Sequence, residues 1–412
     1  MNRKVKSLKK YSLFDIVIIL SILGITIFPI FGSFGEYMRV ISVLVCITYV
    51  LAQSLTNRKL VLANFIIYYA LFFAYAMISS AWSIKIGRSY LVLREMILSL
   101  LWGIALITYV NNNFQNIHIM LSTFVWGCVI ISIYCCIKGP ISLSSWNQLG
   151  YKVFETAGQN QIYYSCILIF ATNIAIYYTF GGSKHRIIYF CVLIFLMFCG
   201  LSTSVRKCVF IPVIFAYVYM FLSLRKTPIK LFEGTLVFIA LGIIAYMFLP
   251  YISISMYTRI NNFVYDIFNG TKAAATGTSF EERAWLRQEA IKLFKDHYLF
   301  GVGIGQYTEY SVLDGGPSLY SHNNFLEILS NTGSIGFILY YGGLFFSIIK
   351  TWKIIKYIEE TKIRCLYNFI IAFFISLIIM HYGQVDYYQV YFIFFASLLT
   401  CCATGLLVKK NT

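Results

Sequence analysis

The side chains best placed to do chemistry lie in one long hydrophilic stretch, residues 256–333, and at a few charged interruptions of otherwise apolar sequence. His322 stands in Ser321-His322-Asn323-Asn324-Phe325-Leu326-Glu327, where a helix is expected to open and to close at Gly333. In the first turn of a helix, exposed amides and the positive end of the dipole favour neutral imidazole, the form a general base needs. Position alone also allows a structural or merely exposed histidine. Arg283 and Arg287 are four residues apart and so project from one side of a helix. That helix is expected to start at Ser279-Phe280-Glu281-Glu282, a capping box, with Leu286, Ala290, Leu293, Phe294 and Tyr298 forming its apolar face. A solvated face would explain the two arginines equally well.

Two further charged positions lie within the apolar sequence. Ser202-Thr203-Ser204-Val205-Arg206-Lys207 separates two apolar runs with almost no loop between them. A charge at membrane depth is costly and usually meets a partner or a watery cavity, although Arg206 can also snorkel to the boundary. Arg94 and Glu95 are similar, and can simply pair with each other. Gly301-Val302-Gly303-Ile304-Gly305 has nucleotide-loop spacing, but no strand–helix–strand unit surrounds it, so a tight turn beside the membrane is the better reading. There is no D-x-D, and the long outer loop offers no carboxylate set suited to magnesium or manganese. The eleven cysteines form no CxxC pair and mostly sit in apolar runs, as small buried hydrophobes do.

These residues must be positioned by membrane helices. Of 412 residues, 59% are hydrophobic and 12% charged, which excludes an ordinary soluble domain. Twelve apolar runs reach spanning length, near 13–31, 37–55, 60–80, 91–110, 117–137, 161–180, 187–203, 207–224, 231–255, 334–350, 366–382 and 387–408. The first is too long for a signal peptide and lacks a small-residue cleavage site, so it reads as a retained helix. With the N-terminus inside, the inner segments collect Arg3, Lys4, Lys6, Lys9 and Lys10, then Arg58 and Lys59, Lys184 and Arg186. They also collect Arg225, Lys226 and Lys230, the cluster from Lys350 to Arg364, and Lys409 and Lys410. Both termini should therefore be cytoplasmic. This accounts for more than half of the 33 basic residues and explains the net charge of +17 without nucleic acid. The expected organisation is helices 1–9 over 1–255, an extracytoplasmic loop of two short helices over 256–333, and helices 10–12 over 334–412. The fold class is all-α and polytopic.

Three stretches resemble the superfamily of O-antigen ligases and O-antigen or capsule polymerases of the Wzy type. Leu201 to Arg206 is similar to the family's Ser/Thr-rich helix end leading to an arginine. Arg283-Ala284-Trp285 through His297-Tyr298-Leu299-Phe300-Gly301-Val302-Gly303 resembles a second segment, with Tyr298 in the usual place of a proline. Ser321 to Leu329, with Thr332-Gly333, resembles the third and most specific. Ala157-Gly158-Gln159-Asn160 resembles a weaker pattern. The likeness covers roughly Ala157 to Gly343.

It implies a C-type membrane glycosyltransferase fold in the bacterial inner membrane, acting without metal or cofactor. The implied donor is an undecaprenyl-diphosphate-linked glycan, with a glycan or lipid-linked acceptor, membrane lipid as surroundings, and flippase and chain-length regulators as candidate partners. By this likeness His322 is the catalytic base, and Arg206 and Arg283, then Arg287 and Arg94, hold the diphosphate, for which a permanently charged bidentate arginine is suited. Asn160, Asn323, Asn324 and Glu327 order the site, and Asp386 holds the imidazole or the acceptor. A polymerase is favoured over a ligase to lipid A–core or protein. A polysaccharide transporter fits less well, since the halves are not alike and the notable polar residues gather at the outer surface. A structural partner in an export complex is a further possibility.

Overall fold

In a computed structural model, the chain is described at residues 12–56, 62–113, 115–138, 161–203, 205–252, 254, 256–258, 260, 261 and 278–404. The N-terminal basic cluster, Arg58, Lys59, Lys409, Lys410 and the Ala157–Asn160 pattern lie outside these residues. All regular structure among them is helical. The helices are α1 (Leu13–Thr26), α2 (Gly32–Thr56), α3 (Phe65–Ser79), α4 (Ile86–Asn112), α5 (Asn116–Lys138) and α6 (Gln161–Phe180). They continue as α7 (Arg186–Ser202), α8 (Lys207–Leu224), α9 (Pro228–Ile252), α10 (Thr278–Asp296), α11 (Tyr307–Leu313) and α12 (Asn324–Phe337). The last three are α13 (Gly343–Ile354), α14 (Thr361–Met380) and α15 (Val390–Thr404).

Each of the twelve apolar runs corresponds to a helix. Among the described residues nine are long and apolar enough to cross a membrane, while α1, α7 and α15 are shorter apolar helices. The chain is a multi-pass membrane protein. The core sits on α15, whose residues 390–403 are all buried, with α14 beside it and α4 and α13 packed against it. A helix apolar all round belongs in such a position. Among lipid tails the hydrophobic effect does not draw helices together, so close packing and polar bonds hold them. Tyr69 Oη donates to the Tyr387 carbonyl at 3.0 Å and Tyr367 Oη to that of Cys402 at 3.1 Å. At the periphery α9 is also apolar but leaves Val237, Ile243 and Phe248 exposed, as a lipid-facing helix does.

The long segment between the membrane helices departs from expectation in three places. The first helix starts at Thr278, so Ser279 lies within its first turn rather than ahead of it. That helix ends at Asp296, so Tyr298 leaves the helical period and is exposed, while Leu286, Ala290 and Leu293 are buried. A third helix, α11, stands between the two expected ones. Tyr307 at its start is fully buried, donating through Oη to the Leu286 carbonyl at 2.6 Å and through its amide to Asn331 Oδ1 at 2.8 Å.

The glycine-rich turn has a definite mechanical role. Gly333 is a break inside a continuous apolar rod rather than its end, with φ +63°. Such a break orphans backbone groups that lipid cannot satisfy. The turn supplies the partners: Val302 and Gly303 donate to the carbonyls of Ser330 and Asn331 at 2.9 and 2.8 Å, and Ser334 donates to that of Tyr298 at 2.9 Å. The backbones approach so closely that a Cβ on Gly333 would lie 2.3 Å from the Leu299 carbonyl oxygen, and one on Gly301 2.5 Å from that of Asn331. We expect Gly333→Ala to cost about 1–3 kcal/mol through combined strain and overlap. A lower melting temperature in detergent would register it, with Gly242→Ala as the control because no atom lies within 4 Å of its added carbon.

The same turn docks on the α3–α4 corner. Ser89 Oγ donates to the Ile304 carbonyl at 2.7 Å, the Ile304 amide donates to Ser79 Oγ at 3.1 Å, and the Lys85 amide donates to Gln306 Oε1 at 2.9 Å. Glu309 pairs with Arg88 at 2.8 Å and Lys85 at 3.2 Å. This segment is thereby bolted to the helix bundle.

Candidate functional site

The sequence Ser321-His322-Asn323-Asn324 forms a tight turn ahead of α12. Asn323 is the cap, its Oδ1 accepting from the amides of Phe325 and Leu326 at 2.9 and 3.1 Å. His322 therefore precedes the helix, which corrects its expected place in the first turn. Its φ is +55°, a left-handed conformation uncommon outside glycine. The flanking bonds hold it there: the Ser321 amide donates to Glu327 Oε2 at 2.7 Å, and Ser321 Oγ donates to the Asn323 carbonyl at 2.9 Å. Strain of this kind persists where surrounding structure over-determines it, and it clusters at functional sites. The turn lays the imidazole against the Tyr320 ring, centroids 4.2 Å apart.

Three cations act electrostatically on that imidazole. Burial, then Arg283, Lys207 and Arg287, lower the His322 pKa to about 4. Desolvation and positive neighbours thus favour the neutral ring at ordinary pH. Arg283 and Arg287 come from α10 and are both half-buried, with no ion-pair partner among the described residues. Arg287 lies over the Tyr382 ring at 6.0 Å. Lys207 opens α8, donating to the Gly383 carbonyl and, at 3.1 Å, to Gln384 Oε1.

Beneath the turn lies a buried polar network. Asn324 Oδ1 accepts from the amides of Asp386 and Tyr387 at 2.8 and 3.1 Å, and its Nδ2 donates to Tyr341 Oη at 2.8 Å. Tyr341 Oη also meets His381 Nδ1 at 3.1 Å. A π-helical turn over Ile338–Gly342, of the kind often found at functional sites, places Tyr341 within the network. Asp386 Oδ2 lies 3.7 Å from His381 Nε2, both side chains fully buried. Burial raises the pKa of Asp386 and lowers that of His381. The imidazole that Asp386 approaches is therefore His381, which corrects its pairing with His322.

Among protein families, residues 190–341 match a family model described as O-antigen ligase. That segment is similar to the O-antigen ligase family. The matched segment runs from α7 to Tyr341 and carries Arg206, Lys207, Arg283, Arg287, His322, Asn323, Asn324 and Glu327. No curated protein matches the chain.

The remaining site candidates lie as follows. Arg206 stands at the N-cap position of α8 next to Lys207, whose charge acts on His322. Glu327 is spent on Ser321 and, at 3.4 Å, on Asn331. Arg94 pairs with Glu95 at 2.9 Å, and Glu95 is shared with Arg39 at 3.0 Å. Asn160 lies outside the described residues. Sequence reasoning missed Lys207, His381 and Arg39. Lys207 stood in the charged interruption already singled out, whereas His381 and Arg39 carried no local signal. No group of three His, Cys, Asp or Glu side chains suited to a metal occurs among the described residues.

Proposed function

We propose that the chain is a glycosyltransferase that polymerises undecaprenyl-diphosphate-linked repeat units into O-antigen or capsular polysaccharide on the outer face of the inner membrane. The observation that carries this is a strained, half-buried imidazole held neutral by burial and by the charges of Arg283, Arg287 and Lys207, within the segment that matches the O-antigen ligase family. A hydroxyl of the acceptor sugar attacks the anomeric carbon of the donor, and His322 takes its proton. The bond from that carbon to the diphosphate oxygen breaks, and the diphosphate leaves with the electron pair. Its charge is met by the three cations, which are fixed in advance where negative charge develops. Binding of the donor offsets the same cations that depress His322, so the imidazole becomes a stronger base only when its substrate is present.

Transfer to lipid A–core is the second reading, favoured by the ligase description of the matching family. Reconstitution separates the two. The full chain in nanodiscs, given lipid-linked repeat units alone, is expected to build a ladder on the carrier. Transfer only when lipid A–core is supplied would make it a ligase, and no transfer with either acceptor would end the reading. We further propose that both termini are cytoplasmic; a reporter after Thr412 active only outside would reverse that.

A further inference from the structure

A cavity of about 420 Å³ lies beside the candidate base, within the roughly 300–1,000 Å³ range of small-molecule sites. Its lining comes from segments far apart in sequence, including the outer ends assigned to α2 and α4, the start of α6 and the loop before α15. Two guanidiniums face two carboxylates there: Arg39 meets Glu36 at 2.8 Å and Glu95 at 3.0 Å, and Arg94 meets Glu95 at 2.9 Å. The four charges cancel. A diphosphate gains little from such a set, whereas a polyol gains much, because planar carboxylates and guanidiniums offer paired donors and acceptors matching adjacent hydroxyls. Tyr163, Tyr320, Tyr388 and Tyr391 complete the wall, supplying ring surface and hydroxyls. That mixture suits a sugar, with its apolar C–H faces and polar rim, better than an acyl chain.

The cavity is joined to the reacting groups. Tyr320 packs on His322 at 4.2 Å, Gln384 accepts from Lys207 at 3.1 Å, and Tyr391 Oη donates to Asp386 Oδ1 at 3.3 Å.

We propose that this cavity is the saccharide subsite, holding the glycan of the lipid-linked repeat unit through Arg39, Glu95 and Arg94 while the diphosphate lies on Arg283, Arg287 and Lys207. The inference rests on the glycosyltransferase reading above and moves Arg94 from diphosphate to sugar. The test uses the full chain in nanodiscs and two probes, the undecaprenyl-diphosphate-linked repeat unit and bare undecaprenyl diphosphate. Glu95→Gln, which keeps the shape and leaves Arg39 its bond to Glu36, is expected to weaken binding of the glycan-bearing lipid about tenfold, or about 1.4 kcal/mol, and to leave the bare lipid unchanged. Tyr388→Phe, which keeps the ring, is expected to act in the same direction. Arg283→Ala should weaken both probes. Equal weakening of both probes by Glu95→Gln would give the cavity to the diphosphate and overturn the proposal, as would unchanged binding in both cavity variants. An Arg283→Ala chain that binds both probes normally would instead overturn the diphosphate assignment and leave the cavity result standing by itself.

Discussion

On the proposed reading, His322→Ala is expected to lower the rate of glycan transfer by the purified chain by about 10²- to 10⁴-fold, the range general-base catalysis ordinarily supplies. The protein should still reach the membrane at its normal level, since the bonds that shape the turn run through Ser321, Asn323 and Glu327 rather than the imidazole. The pH profile gives an independent signature. A base works only when unprotonated, and the His322 pKa is lowered to about 4. Free-enzyme activity, read as kcat/KM, should therefore be level across neutral pH and fall only as pH drops toward 4. An acid limb near the ordinary histidine value of about 6.5 would mean that Arg283, Arg287 and Lys207 do not act on the reacting base. A variant with unchanged product chains would remove His322 from the chemistry.

Arg283→Ala is expected to lower kcat/KM by about 10²- to 10³-fold, the cost of removing one preorganised donor aimed at developing charge. Arg283→Lys should recover part of that loss, because it restores the charge without the bidentate fork. The variant has a second consequence that a merely structural arginine would not show. Arg283 is the largest of the neighbouring charges depressing the imidazole, after burial itself. Removing it raises the His322 pKa toward its ordinary value, so the acid limb of the profile moves to higher pH. Loss of activity without that movement would separate Arg283 from His322 and place it elsewhere on the substrate. Normal chains at normal protein levels would exclude it from the mechanism.

The two effects differ in where they fall. A missing base slows the step in which the proton leaves the acceptor, so kcat should drop at saturating donor. A missing diphosphate cation weakens the bound donor as well as the transition state, so KM should rise alongside the fall in kcat.

The sequence by itself determined the class of the molecule and singled out the segment in which its chemistry is proposed to lie. Apolar runs of spanning length need no partner to be recognised, because lipid forces each segment to satisfy its own backbone. The twelve runs accordingly correspond to helices, and the motifs around Arg283, Arg287 and His322 are local patterns readable one turn at a time. Tertiary structure alone decided the rest. His322 takes a left-handed backbone in a turn where Glu327, six residues beyond Ser321, holds the Ser321 amide. Gly301 and Gly333 are small because the backbone of the opposing segment occupies the space a Cβ on either would need. Lys207 joins the base because α8 packs under the 383–384 loop, and Arg39 meets Glu95 across 56 positions of sequence. His381 and Asp386 face each other only after the loop between α14 and α15 is pinned by Asn324. These contacts arise where helix ends converge, and the hydropathy that identifies each helix carries no information about which ends will meet or which charges will be balanced when they do.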